Sequence, residues 1–209
     1  MSFSEPPQKK LVKPNKMSKN KILTAIQRNK PAGAPLPEIP SFTDGKASPV
    51  AIFTTMVEAG GGQVIRENGL KDLNTAVKNR FPEAEKIASP LSAINSNFAL
   101  HEAESPGKLE PVDVAVIRGR LGVAENGAVW VTEEDCGHRV LPFITQHLIL
   151  VLNEADIVHN MHEAYGRIQV GAAGFGLFIA GPSKTADIEQ SLVIGAQGAR
   201  SLTVVLEAG

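Results

Sequence analysis

Four short apolar runs, Ala128 to Val131, His147 to Leu152, Phe175 to Ala180 and Leu202 to Leu206, are β-branched and almost unbroken by polar residues. Runs of that kind are strands covered on both faces, so they predict a central, mostly parallel sheet. Helical spacing alternates with them. Ser48-Pro49 opens a predicted helix that runs to Ala59, where Gly60-Gly61-Gly62 stops it. Gln63 to Arg66 follows as a short strand and Leu70 to Phe81 as a second amphipathic helix. Lys86 to Ala88 and Val112 to Ile117 read as strands. The polar stretch Ser89 to Glu110, with Pro106-Gly107 and no clear period, reads as a loop with a helical turn or two. After the run that ends at Leu152, Ala155 to Arg167 sets Ile157, Val158, Met161 and Ala164 on one helical stripe, which predicts a β-α-β crossover. The coarse result is an α/β layered fold without internal repeats.

The first 47 residues break this pattern. They are rich in Pro and Lys, and residues 1 to 30 carry Lys9, Lys10, Lys13, Lys16, Lys19, Lys21, Arg28 and Lys30 against only Glu5. A solvated or tethering arm is expected there, set apart from an α/β domain over residues 48 to 209. Ile22, Leu23 and Ile26 stand at helical spacing and predict a short helix between Ser18 and Pro31. Met17-Ser18-Lys19-Asn20-Lys21 has the look of a natural start, which would make residues 1 to 16 an extension of little consequence. Within the basic residues 1 to 30, Phe3 is the one aromatic on which a single-stranded base could stack, so nucleic acid is not the expected partner.

Composition narrows the classes further. With 209 residues, 43% hydrophobic and 21% charged, the chain can bury one sizeable core, and its formal net charge of -1 supplies no field favouring nucleic acid or an anionic membrane. The longest apolar run, Leu148 to Leu152, is far short of the roughly 20 residues of a membrane span, and the N-terminus lacks the apolar core of a signal peptide. Cytoplasm is the default compartment and no membrane partner is expected. A single cysteine, Cys136, excludes an internal disulfide and cannot supply the thiolates of an iron-sulfur cluster. Any such cluster sits on another protein.

Several candidates for chemistry have bland readings. The neighbours Glu133, Glu134 and Asp135 oppose thiolate formation at Cys136 even with His138 and Arg139 close by, so no nucleophile is expected there. His159, His162 and Glu163 fall on adjacent turns of the predicted helix, but two imidazoles without a third ligand read as a solvated face, and no metal site is expected. Gly171 to Gly176 precedes a strand rather than opening a helix and lacks the phosphate-loop lysine; it reads as a flexible turn.

In open α/β sheets, ligands gather beyond the carboxyl ends of strands. Two loops are predicted to have that setting. Gly119 to Gly127 follows the strand at 112 to 117, contains Arg120 and ends in Glu125-Asn126-Gly127. Gly181 to Glu189 follows the strand at 175 to 180: Gly181-Pro182 turns the chain, Ser183 and Thr185 offer hydroxyls, Lys184 a cation, and Asp187 and Glu189 carboxylates. The same residues also fit a short helix capped by Ser183 or Thr185, with Asp187 and Gln190 as a capping box. Gly195, Gln197 and Gly198 make a turn into the last strand.

At these residues the chain resembles the lactate-utilisation (LUD) domain family. The likeness lies in Ser183-Lys184-Thr185-Ala186-Asp187-Ile188-Glu189, then Val193-Ile194-Gly195-Ala196-Gln197-Gly198 and Leu202-Thr203-Val204-Val205-Leu206. Ala124-Glu125-Asn126-Gly127 falls where that family usually has Ala-Glu-Thr-Gly, and His147-Leu148-Ile149-Leu150-Val151 resembles its next strand. Two departures stand out: the family commonly has His-Gly-Pro where this chain has Gln197-Gly198-Ala199, and Thr where it has Asn126. The resemblance implies a fold similar to the ribose-phosphate isomerase and CoA-transferase group. It also implies a role in oxidising L-lactate to pyruvate beside two iron-sulfur partner proteins, this chain being the cluster-free member.

These readings place a pocket for a small carboxylate or cofactor between the two loops. Its ligand-binding candidates are Asn126, Gly127, Gly181, Ser183, Lys184, Thr185, Asp187, Glu189, Gln197 and Gly198. Glu125 is the catalytic candidate, because Glu125-Asn126-Gly127 resembles the Glu-Asn-Gly that carries the nucleophilic carboxylate of some CoA transferases, although a Glu before an Asn-Gly turn also serves as a plain turn residue. Three functions stay open: a subunit of a lactate-oxidising complex, a stand-alone CoA-transferase-like enzyme using Glu125, and a ligand-sensing or interaction module. The identity of any cofactor is not legible.

Overall fold

The computed structural model describes residues 16–31, 33–35, 37, 38, 40, 48–67, 70–169, 171, 174–186 and 192–208. The chain divides between Ser41 and Phe42 into two units. The first contains helix α1 (Lys16–Arg28), with Ile22, Leu23 and Ile26 exposed on its surface. The second holds the remaining elements. In order these are α2 (Pro49–Ala59), β1 (Gln63–Glu67), α3 (Leu70–Arg80), β2 (Ile87–Ala88), β3 (Val114–Arg118), β4 (Leu121–Val123), β5 (Ala128–Thr132), α4 (Glu133–Cys136), α5 (Leu141–Ile144), β6 (His147–Asn153), β7 (Ile157–Val158), α6 (Met161–Arg167), β8 (Gly176–Ile179), β9 (Lys184–Ala186), β10 (Leu192–Ile194) and β11 (Ser201–Glu207). Single helical turns at Leu100–Glu102 and Pro106–Leu109 interrupt the polar stretch before β3.

Five strands form a parallel sheet in the order β1-β11-β6-β3-β2. Alternate residues of its inner strands serve two cores, which is why those runs are almost wholly apolar. Leu148, Leu150, Leu152, Leu202, Val204, Ala115 and Ile117 pack with Phe53 and Val57 of α2 on one face. Ile149, Val151, Val205, Val114 and Val116 pack with Leu73 and Val77 of α3 on the other. At the carboxyl edge, an ion pair of 2.5 Å between Arg118 and Glu207 ties the end of β3 to the end of β11, and Arg66 reaches Glu154 at 2.7 Å.

The structure corrects the expected sheet in two places. Of the four apolar runs, only those at β6 and β11 enter the parallel sheet. Those at β5 and β8 pair antiparallel in a second sheet of order β7-β4-β5-β8, where β8 is only half-buried. The expected helix over Ala155 to Arg167 also dissolves into three pieces. Asn153 caps a single turn at Glu154–Asp156 by accepting the Ala155 N–H, and Ile157 and Val158 then extend as β7 beside Gly122 and Val123. Asn160 opens α6 by accepting the Glu163 N–H at 3.0 Å, while the Glu163 carboxylate returns to the His159 N–H. Pairing with Gly122 and Val123, and an N-cap asparagine, thus override an apparent helical stripe. His159 lies outside the helix that carries His162, and among the described residues no group of three or more His, Cys, Asp or Glu could hold a metal ion. No helix among them is long and apolar enough to cross a membrane.

Candidate functional site

The first predicted loop is mostly a hairpin rather than a loop. Leu121–Val123 and Ala128–Thr132 pair as a hairpin, and residues 124–127 are its turn. Each candidate there has a structural partner. Asn126 accepts the Ala128 N–H at 3.0 Å, an Asx turn. The Glu125 N–H donates to the His159 carbonyl, and its carboxylate accepts the Met161 N–H at 2.8 Å, at the start of α6. Gly127, with φ of +65°, lies against α2, where a Cβ would stand 2.7 Å from the Val57 nitrogen.

The second loop opens as a strand, so the reading in which Ser183 or Thr185 caps a helix does not hold. Lys184–Ala186 pairs antiparallel with Leu192–Ile194, which sets Thr185 opposite Val193. Asp187, Glu189 and Gln190 lie outside the described residues. Gly181 has φ of +77° and packs on the C-terminal end of α2, where a Cβ would stand 2.6 Å from the Gly60 carbonyl oxygen. The Lys184 ammonium donates to that same carbonyl, which supplies a cation to the negative end of the helix. Ser183 ties the hairpin to the turn before β11: its N–H donates to the Ala199 carbonyl at 2.9 Å and its carbonyl accepts the Gly195 N–H at 3.0 Å. Gly198 permits the approach, since a Cβ there would sit 3.2 Å from that of Ser183.

Between these segments lies a cavity of about 310 Å³. Gly181, Ser183, Lys184, Thr185, Gln197 and Gly198 line it, so six of the sequence candidates come together, while Glu125, Asn126 and Gly127 are not in its lining. Leu148 and Leu202 form its floor, at the amino ends of β6 and β11, and Phe143 and Leu177 its apolar sides. The cavity therefore opens at the amino edge of the parallel sheet, whereas the carboxyl edge is laced by the Arg118–Glu207 and Arg66–Glu154 pairs. Sequence reasoning missed the apolar wall. The order of residues does not mark that wall: that Phe143, after Pro142, stays 44% exposed is set by the fold.

Cys136 is fully buried, and burial first, then the charges of Asp135 and Glu133, push its thiol up to about 12. At pH 8 a thiol reagent is expected to label the folded chain no faster than it unfolds, and to label it at once in denaturant. Rapid labelling of the native protein would show that the α4 region opens on its own.

Taken together, a parallel sheet flanked by helices and a second, smaller sheet define an α/β protein, with a partly apolar cavity at one edge. The LUD domain profile matches residues 50–206, and the chain belongs to the LUD domain family. It is similar to lactate utilization protein C of Bacillus pumilus, 25% identical over 163 residues, covering 75% of this chain and 67% of that protein. It is also similar to lactate utilization protein C of Geobacillus thermodenitrificans, 30% identical over 149 residues, covering 66% of this chain and 60% of that protein. The chain thus spans about two thirds or less of the length of these relatives. A crystal structure of a DUF162 family protein from Deinococcus radiodurans shares the fold, with a TM-score of 0.56 at 17% identity over 77% of this chain and 96% of that one.

Proposed function

We propose that this chain is the cluster-free subunit of a cytoplasmic system that oxidises L-lactate to pyruvate, and that it holds a small carboxylate or a cofactor in the cavity beside Ser183. Family membership and two relatives called lactate utilization protein C support the metabolic role. The observation that carries the site is the convergence of Ser183, Lys184, Thr185 and Gln197 on one cavity whose opposite wall is apolar. Two hydroxyls, an amide and an ammonium are donors suited to a carboxylate, and the leucine floor suits the apolar end of the same ligand. Removing two electrons from lactate requires an acceptor, and with one cysteine in the chain we assign it to iron-sulfur partner proteins.

Binding of L-lactate and pyruvate, followed by NMR or calorimetry, tests the site. Ser183→Ala is expected to weaken binding by about tenfold, the scale of one hydrogen bond to a charged group. Glu125→Gln should change it by less than about twofold, because that carboxylate serves the start of α6 outside the cavity. If neither acid binds at millimolar concentration, the carboxylate reading falls. If deleting the gene leaves growth on L-lactate intact, the metabolic reading falls with it.

A further inference from the structure

A second cleft, of about 460 Å³, lies at the same edge of the sheet but on its other face, beside the end of α3. His147, the first residue of β6, lines it, and its ring stacks on Phe81 with centroids 4.4 Å apart. Ser201 Oγ lies 2.8 Å from His147 Nδ1, so when the hydroxyl donates, Nε2 carries the ring proton as a donor. Arg80 and Arg200 enter the same cleft, the Arg80 guanidinium 5.9 Å from the centre of the Phe81 ring.

Arg66, Arg118, Arg120 and Arg139 each meet a carboxylate within 2.7 Å. Among the described arginines of this unit Arg80, Arg167 and Arg200 make no ion pair, and two of those three enter this one cleft. Two acids border the cleft, Asp113 and Glu83. The Asp113 carboxylate is already engaged, its Oδ2 accepting the N–H groups of Glu85 at 2.9 Å and Lys86 at 2.8 Å, and Glu83 is exposed. Two planar donor forks that line one cleft with an imidazole make a receptor suited to an oxyanion.

We propose that this cleft binds a small oxyanion, a phosphate or a carboxylate, between Arg80 and Arg200 with His147 as a third donor. Burial, then the charge of Arg200, and after the opposing Asp113 that of Arg80, hold the His147 imidazole below its ordinary range. A bound anion offsets both arginines, so His147 also reports occupancy. The site differs in residues and in face from the cavity beside Ser183, and it stands or falls separately from the lactate reading.

The test follows the His147 ring by NMR as it titrates, without addition, with inorganic phosphate, and with L-lactate. A saturable rise in its apparent pKa with at least one anion is expected, and the anion that produces it identifies phosphate or carboxylate as the source. Arg80→Gln combined with Arg200→Gln should weaken that response by about tenfold or more, the scale of lost charge-assisted hydrogen bonds. No saturable response to either anion at millimolar concentration, or an undiminished one in a double variant that melts like the wild type, would overturn the proposal.

Discussion

Replacing Gly127 with valine should leave little folded protein. The residue sits at φ of +65°, where a β-branched side chain is at its worst. Its Cβ would also stand 2.7 Å from the Val57 nitrogen and 2.9 Å from the Met56 carbonyl carbon, helix backbone that no rotamer change can move. The left-handed conformation costs about 1–2 kcal/mol. Prising the β4–β5 turn off α2 would also loosen the contacts of fully buried Phe53 and Val57, for about 2–4 kcal/mol more. Against a typical total of roughly 5–15 kcal/mol, that sum is most of a marginal domain's stability. Thermal unfolding with soluble yield checks it; a melting temperature within about two degrees of wild type would mean the turn does not bear on the helix as described.

Gly181→Ala should have the second largest effect, one concentrated on the cavity. The alanine would combine φ of +77° with a Cβ 2.6 Å from the Gly60 carbonyl oxygen, the same atom that Lys184 holds. A loss of about 2–3 kcal/mol is expected, and the chain should relieve it by lifting the β8–β9 connection away from α2. Faster amide exchange in Ser183 and Thr185, with slow exchange retained in β6 and β11, is the signature to look for. Uniform acceleration throughout would instead indicate global destabilisation.

What was legible in the chain follows from how local the cause is. Pro49 in the first turn and Gly61, at φ of +82° just past the end, bracket α2 by covalent geometry, so its limits read directly. The runs at β6 and β11 are apolar because both faces are covered, and that too leaves a local mark. Pairing partners leave none. Ile157 and Val158 are a strand because Gly122 and Val123 lie beside them, and Lys184–Ala186 because Leu192–Ile194 folds back on it. Six residues of the cavity were found through polar character and glycine spacing, but the assignment of Glu125 to the same pocket rested on the assumption that both loops crown one sheet edge. The hairpin at β4–β5 carries Glu125 elsewhere, to the start of α6.

The turn into β11 touches both clefts. Gln197, Gly198 and Ala199 form part of one wall, and Arg200, the next residue, enters the other. Ser183 grips the Ala199 carbonyl from one side, while the Arg200 N–H donates to the Gln146 carbonyl on the other. Thermodynamic reciprocity then constrains any communication between occupants. Whatever factor an anion beside Arg200 imposes on affinity at Ser183, a ligand beside Ser183 imposes equally on the anion.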